Sequence, residues 1–261
     1  MVCSGSHVDE PEYQRWLPAV GQAHGRHRKV WEWCYILQAL ETHGLARPGS
    51  SAIGFGVGTE PLVSALVSRG VRVLATDQAA DTAGSWASTG QHASARDALR
   101  RPDLCADDEF DRLVTFRPVD MRTLPADLGQ FDIAWSSCCF EHLGSADAGC
   151  QFVLDAMDVV APGGVAVHTT EIDCSRHGTL LETGSVEAGD YVCFYRRQDL
   201  ERLVARLRAA GHEVRCNYFI GKSHPLEREV DRQPYTHDPH IRLEVQDRVV
   251  TSFGLTVVKR R

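Results

Sequence analysis

Apolar residues recur along this chain in two rhythms. Some return every three or four positions and mark helices. Others alternate, or run unbroken for a few residues, and mark strands. Ser51 to Phe55 is a short apolar run after a Pro48-Gly49 turn and predicts a first strand. Leu62, Val63, Leu66 and Val67 then fall on one helical face. Thr59 suits the N-cap of that helix, Pro61 an early helical position, and Gly70 the stop. VRVLATD predicts a second strand ending in Asp77. Strand, glycine turn, helix, strand and acid is the layout of a nucleotide-binding βαβ unit.

The rhythm continues on both sides. Residues 28–43 place Val30, Trp33, Cys34, Leu37 and Leu40 on a helical stripe closed by Gly44. Residues 1–25 are polar, carry Pro11 and Pro18, and predict an arm with little regular structure. Gln78 to Phe116 is polar, with short helices predicted over Ala93 to Leu99 and over ADDEFDRL. Arg117 to Val119 predicts a third strand closing on Asp120-Met121, and Phe131 to Ser136 a fourth. Phe152, Val153, Ala156, Met157 and Val160 stripe a helix that Pro162-Gly163-Gly164 ends, before a fifth strand from Val165 to Thr170. Gln198 to Ala210 predicts a helix with Leu200, Leu203, Val204 and Leu207 inward. Glu213 to Phe219 and Val249 to Val258 alternate as strands. Only the irregular residues 220–247 join them, which predicts an antiparallel hairpin at one edge. Five strand-helix units imply an α/β fold, doubly wound, with helices on both faces of a mostly parallel sheet. Its ligand belongs at the carboxyl ends of the strands, near the switch point.

Length, composition and charge narrow the class. At 261 residues and 43% apolar, the chain suits one large domain with a full core. It divides into an arm and cap helix (1–45), a nucleotide-binding core (46–175), and a C-terminal helix, edge hairpin and substrate loop (176–261). The net charge of −7 speaks against a nucleic-acid partner. The amino terminus has no apolar signal core and no run reaches membrane-spanning length. A cytoplasmic protein without a membrane partner is expected. Nine cysteines, an odd count with no CxxC pair, read as reduced buried thiols rather than a zinc knuckle.

The chemistry gathers at predicted strand ends. Gly54, Gly56 and Gly58 in AIGFGVG let backbone approach a ligand. Asp77 stands where a strand end aims a carboxylate at ribose hydroxyls. Asp120 can accept from an adenine amino group while the amide beside it serves a ring nitrogen. SSCCFEHLG after the fourth strand walls the site, beginning at Ser136.

In this order, AIGFGVG, LATD, VDM, FDIAWSSCCFEHL and APGGVAVHTTE resemble the class I S-adenosylmethionine-dependent methyltransferases, a Rossmann-like superfamily. The resemblance covers about residues 50–170 and the edge hairpin. It implies a seven-stranded sheet of order 3-2-1-4-5-7-6 with strand 7 antiparallel, and S-adenosylmethionine as cofactor. The donor-binding set it implies is Gly54, Phe55, Gly56, Gly58, Glu60, Asp77, Gln78, Asp120, Met121 and Ser136. The family usually has an acid two residues before the first glycine; here that position is Ala52. Glu60 either substitutes for that acid near the donor's ammonium group, or is simply an acid at a helix start. The missing acid leaves a non-catalytic donor-binding module as one alternative. A nicotinamide oxidoreductase is the other, although GxGxxG fails at Thr59.

Methyl transfer asks the protein to align an acceptor and take its proton. The catalytic candidates are Glu141, His142 and Glu171. Glu171, Asp173 and His177 could together hold a divalent cation, or form a polar loop without metal; no metal site is favoured. The loop 222–245, with His224, His237, Asp238 and His240, is expected to recognise substrate. His237 and His240 also stand at a spacing seen in metal sites. Trp31, Trp33 and Tyr35 either roof the donor or pack in the core, and Trp86, Gln91 and His92 flank the adenosine. The expected product is a methylated small polar molecule, through oxygen or nitrogen. The sequence leaves the oligomeric state open.

Overall fold

Successive residues of the central strands are buried against opposite layers, the signature of a sheet covered on both sides. A computed structural model describes residues 1–81, 90–175, 180–185, 191–219 and 223–260. Its strands are β1 (Ser51–Phe55), β2 (Arg72–Asp77), β3 (Val114–Pro118), β4 (Phe131–Ser137), β5 (Val160–Asp173), β6 (Leu181–Thr183), β7 (Val192–Phe194), β8 (Glu213–Arg215), β9 (Leu243–Val245) and β10 (Arg248–Val258). The main sheet runs β3-β2-β1-β4-β5-β10-β8, with β9 also on β10. β1 to β5 pair in parallel, and β10 is antiparallel to β5, β8 and β9. This is the expected 3-2-1-4-5-7-6 order, β8 and β10 taking the sixth and seventh places. β6 and β7 form a separate two-stranded ribbon.

One layer holds α1 (Pro11–Gln14), α2 (Arg28–Thr42), α3 (Leu62–Val67) and α4 (Asp107–Leu113); the other holds α5 (Ala146–Asp155) and α6 (Arg197–Ala209). Ala52, Ile133, Trp135, Val165 and Val167 face the first layer. Ile53, Phe55, Ala134 and Ala166 face the second. α2 buries Val30, Trp31, Cys34, Ile36, Leu37 and Leu40, each contributing about 1.5–3 kcal/mol if fully removed from water.

Four boundaries differ from the sequence expectation. The third strand begins at Val114, not Arg117, directly after α4. It lies at a sheet edge, where exposed Thr115 dilutes its apolar signal. The helix expected to reach Val160 ends at Asp155, and Val160 joins β5 opposite Phe131. Pro162-Gly163-Gly164 makes a register shift within that strand rather than the turn before it. There Gly164 is required: a Cβ would stand 2.7 Å from the Asp132 carbonyl oxygen. The strand expected over Glu213 to Phe219 stops at Arg215. Just beyond it, the Asn217 carbonyl accepts from Val2 N at 3.0 Å.

The amino-terminal arm is the fourth difference. It carries 3-10 turns at Gly5–Asp9 and Pro18–Val20 and the short α1. Val2 bridges to Phe253, and Cys3 N donates to the Ser252 carbonyl at 2.8 Å. Val2, Cys3, Tyr13, Trp16, Leu17 and Val20 are buried, so sparse but bulky apolar residues anchor a stretch that reads as polar.

Candidate active site

β1 and β4 are neighbours from which the chain winds outward in opposite directions, so a crevice opens at their carboxyl ends. The glycine loop lines it. Gly56 and Gly58 have φ of +56° and +52°, a region that glycine enters without a steric penalty. A Cβ on Gly56 would lie 3.1 Å from Cys139 Sγ and 3.3 Å from Met121 Sδ. The loop and the turns that follow β3 and β4 therefore meet at one point. Asp77 latches the loop: its Oδ2 accepts from Gly58 N at 2.9 Å and Ala93 N at 3.1 Å, and its Oδ1 from Gln78 N at 2.8 Å. Burial pushes its pKa up against those bonds. His92 Nε2 bonds the Gln78 carbonyl at 2.7 Å, and Thr59 Oγ1 donates to the Gly90 carbonyl at 3.0 Å, so residues 90–93 close the crevice beside the loop.

Gly54 is small for a different reason. A Cβ there would stand 2.3 Å from the Trp135 ring, on the face away from Phe55. Phe55 itself is core, edge-on to Phe152, and presents only its carbonyl, which accepts from Cys139 Sγ at 3.4 Å. Met121 is buried beside Gly56. Asp120 is turned out, paired with Arg122 at 2.8 Å. Ser136 is fully buried with its hydroxyl 2.8 Å from His168 Nδ1, on the α5 side of the sheet.

Next to the crevice, the first turn of α2 drives charge into the site. Glu32 is fully buried. It accepts from Lys29 Nζ and Ser137 Oγ at 3.3 Å each, from Thr169 Oγ1 at 2.7 Å, from Arg28 Nη1 at 3.2 Å, and from Ser252 Oγ. Burial would raise its pKa, but Lys29, Arg28 and those hydroxyls outweigh it and hold the carboxyl low. Arg28 also donates to Glu171. Lys29 reaches Glu60 at 3.3 Å, and Glu60 accepts from Ser137 Oγ at 3.2 Å. Cys138 sits in the middle, at φ +52°, its Sγ 3.5 Å from Arg28 Nη1 and 4.0 Å from Glu171 Oε1.

The other two catalytic candidates lie just past Cys138. Glu141 is fully buried, accepts from Thr170 Oγ1 at 3.0 Å, and has no hydrogen-bond partner on Oε1 among the described residues. Burial first, and the charge of Glu171 second, push its pKa up to about 8. His142 Nδ1 lies 2.7 Å from the Tyr191 carbonyl, and burial lowers its pKa. A carbonyl only accepts, so Nδ1 carries the hydrogen and the neutral ring keeps its lone pair on Nε2.

A family model described as a methyltransferase domain matches residues 53–168, from within β1 to within β5. The chain therefore carries a methyltransferase domain over those residues, on a fold shared with S-adenosylmethionine-dependent methyltransferases. Its fold is similar to phosphoethanolamine N-methyltransferase 2 of Haemonchus contortus, solved with S-adenosyl-L-methionine. That match has 16% identity and a TM-score of 0.52, and covers 88% of this chain and 53% of that one. It is similar also to the N-terminal domain of EvdMO1, solved with S-adenosylhomocysteine and D-fucose, at 16% identity and a TM-score of 0.50 over 86% and 82% of the two chains. No curated protein sequence matches the chain significantly. The glycine loop, Asp77 and Met121 line the crevice at the carboxyl ends of the strands of that fold.

The remaining candidates are engaged elsewhere. Glu171 and Asp173 are each paired with an arginine, Arg28 and Arg248, the latter pair at 2.5 Å. Asp173 also accepts from Ser175 N at 2.7 Å, so these carboxylates do not converge as cation ligands; His177 and Trp86 lie outside the described residues. Trp31 stacks on Tyr35 and His7, and Tyr35 lies over Gly254 with its hydroxyl 2.8 Å from Thr256 Oγ1, which makes both core residues. His224 pairs with Asp9 at 3.0 Å, at the arm. A separate surface cleft of about 780 Å³ lies at the amino ends of β1 and β2, between Ser50, Arg69, Arg72 and Arg112, away from this chemistry.

Sequence reasoning missed Arg28, Lys29, Glu32 and Ser137. A signal existed: a lone acid between Trp31 and Trp33, three and four residues after two cations, on a helix otherwise apolar in its first half.

Proposed function

We propose that the methyltransferase moves the methyl group of S-adenosylmethionine to an oxygen or nitrogen of a small polar metabolite, a sugar or a natural product. The observation that carries this reading is the charged shelf beside the donor crevice: Arg28, Glu171, Cys138, Glu141 and His142, all at or just past strand ends or in the turn of α2 that faces them. An apolar acceptor would find no match there, whereas hydroxyl and amino groups would.

When bound, the donor supplies an activated methyl group and leaves as S-adenosylhomocysteine. The chain's own residues do the rest. Gly56 and Gly58 admit the donor's tail, and Asp77 meets the ribose from the latch it already holds. Arg28 and Glu171 orient the acceptor. His142, neutral at pH 7, accepts the acceptor's proton at Nε2. Glu141, protonated below about pH 8, adds no second negative charge behind Glu171. The whole of 1–261 acts as one domain in this reading. Its nine unpaired cysteines favour a reducing, cytoplasmic setting. Among the described residues no helix is long and apolar enough to cross a membrane.

Incubation with methyl-labelled donor and a metabolite extract, followed by mass identification of the product, tests the reading; D-fucose-like sugars belong in the screen. A labelled small polar product supports it. A labelled protein or nucleic acid would replace it. His142→Ala should lower kcat by about 10²–10⁴-fold with donor affinity unchanged. A second reading, a donor-binding module without turnover, is favoured by the buried alanine at position 52 where the family usually has an acid. Donor binding with no labelled product from any extract would select it.

A further inference from the structure

The substrate-loop histidines do not stand apart from the helix that charges the site. His27, the N-cap of α2, faces His237 and His240, and one ring nitrogen from each lies within 4.8 Å of the others. The rings are packed together, with centroids 4.5 Å apart for His27 and His240 and 5.0 Å for His237 and His240. The backbone fixes this meeting: Arg28 N donates to the His240 carbonyl at 2.9 Å, and His240 N to the Arg26 carbonyl at 2.7 Å.

Behind the histidines sits a buried carboxylate. Asp231 Oδ2 accepts from His240 Nδ1 at 2.6 Å and from His237 N at 3.0 Å. Its Oδ1 accepts from Thr236 N and Thr236 Oγ1 at 3.0 and 3.2 Å. A carboxylate on Nδ1 fixes the hydrogen there, so the lone pair of His240 sits on Nε2, and it makes that nitrogen more basic. The same carboxylate holds His237, whose φ is +62°, in a conformation that a slack loop would not keep. The nearby cations are engaged elsewhere, Arg26 with Asp238 at 2.9 Å and Arg28 with Glu171 and Glu32. Burial and the neighbouring histidines and Arg28 keep His27 neutral at pH 7, and His240 is shifted the same way.

We propose that His27, His237 and His240 bind a divalent transition cation of the zinc class, with Asp231 orienting the set. Three imidazoles suit zinc, copper, nickel or iron rather than magnesium or calcium, and they leave one position of a tetrahedron for an outside oxygen. Loading shifts one proton within His27. Its Nδ1 now accepts from Lys29 N at 3.0 Å, so the ring hydrogen is on Nε2. Coordination through Nε2 moves that hydrogen to Nδ1 without net proton release, and frees the Lys29 amide. The cation would thus be linked to the turn that carries Arg28 and Lys29.

The test uses the full chain, stripped with a chelator and titrated with Co²⁺ without donor or acceptor, so methyl transfer does not enter the result. One Co²⁺ per chain is expected, with the visible bands of a four-coordinate nitrogen and oxygen site, displaced by Zn²⁺. His237→Ala changes an exposed side chain and should weaken Co²⁺ binding about tenfold or more. Asp231→Asn should weaken it about tenfold. His212→Ala, remote from the cluster, should leave it unchanged. No spectrum, a spectrum that survives His237→Ala, or the intense charge-transfer band of a cysteine-bound cobalt would each overturn the proposal.

Discussion

At Gly58 a single missing methyl group holds the donor crevice open. A Cβ there would stand 2.5 Å from the Gln91 carbonyl oxygen, at a φ of +52° that alanine adopts only under strain. Gly58→Ala must shift the loop or residues 90–93, and so strains one of the bonds that Asp77 accepts, from Gly58 N or from Ala93 N. The expected result is a donor affinity lower by about tenfold or more in calorimetry, with a stability loss of about 1–3 kcal/mol. Gly54→Ala is a contrasting case, because its clash is with Trp135 in the core and should show first as lost stability. Glu141 gives a pH-dependent outcome. Its pKa rises from 4.5 to about 8 on folding. Below about pH 4.5 both folded and unfolded chains hold the proton. Between there and about pH 8 the unfolded chain gives it up while the native one keeps it, so stability falls as pH rises. Across that window each pH step of one costs on the order of 1.4 kcal/mol, and Glu141→Gln should flatten the slope in urea unfolding at about pH 5 and about pH 8. Glu32 works the other way: its lowered pKa makes stability fall as pH drops through the acid range.

At the scale of elements, α2 does more than cover the sheet. It gives its first turn to the pair Arg28 and Lys29 and secures both with Glu32, which also ties down Ser137, Thr169 and Ser252 on three strands. Glu32→Gln leaves two cations facing one another with one carboxylate fewer. Removing one partner of a buried pair costs about 3–5 kcal/mol, and denaturant unfolding should show that loss. The same element shows what a sequence displays and what it hides. Its apolar stripe was legible, because period 3.6 is a local property, and so were the loop glycines; the strand order came only with the family resemblance. Its role in the site was not, because nothing local says that Glu32 will meet Thr169 and Ser252, 137 and 220 positions away. The arm escapes a local reading for the same reason: Val2 and Cys3 gain order only from β10 at the far end of the chain. The loop with His237 and His240 was legible as shaped, through its prolines, but its third histidine, His27, comes from a distant segment.

For the whole molecule, the crevice gathers the carboxyl ends of four neighbouring strands: the loop after β1, Asp77 at the end of β2, Met121 after β3 and Cys139 after β4. A ligand that spans them binds the folded chain and not the unfolded one, and so adds stability by mass action. At a hundred times its dissociation constant the gain is about 2.7 kcal/mol, roughly 5–10 °C in Tm for a domain of this size. S-adenosylmethionine and S-adenosylhomocysteine should both produce that shift in calorimetric melting. A nicotinamide dinucleotide at the same concentration should not, since Gly58 and Thr59 give the loop a different glycine spacing from the one that pyrophosphate requires. Asp77→Ala should abolish the shift, because the carboxylate both latches Gly58 and stands where ribose is held. His237→Ala should keep it, because that residue belongs to the far loop. A dinucleotide that raised Tm more than the sulfonium donor would mean that the crevice at β1 and β2 serves another cofactor, and the methyl-transfer reading of the site would fall with it.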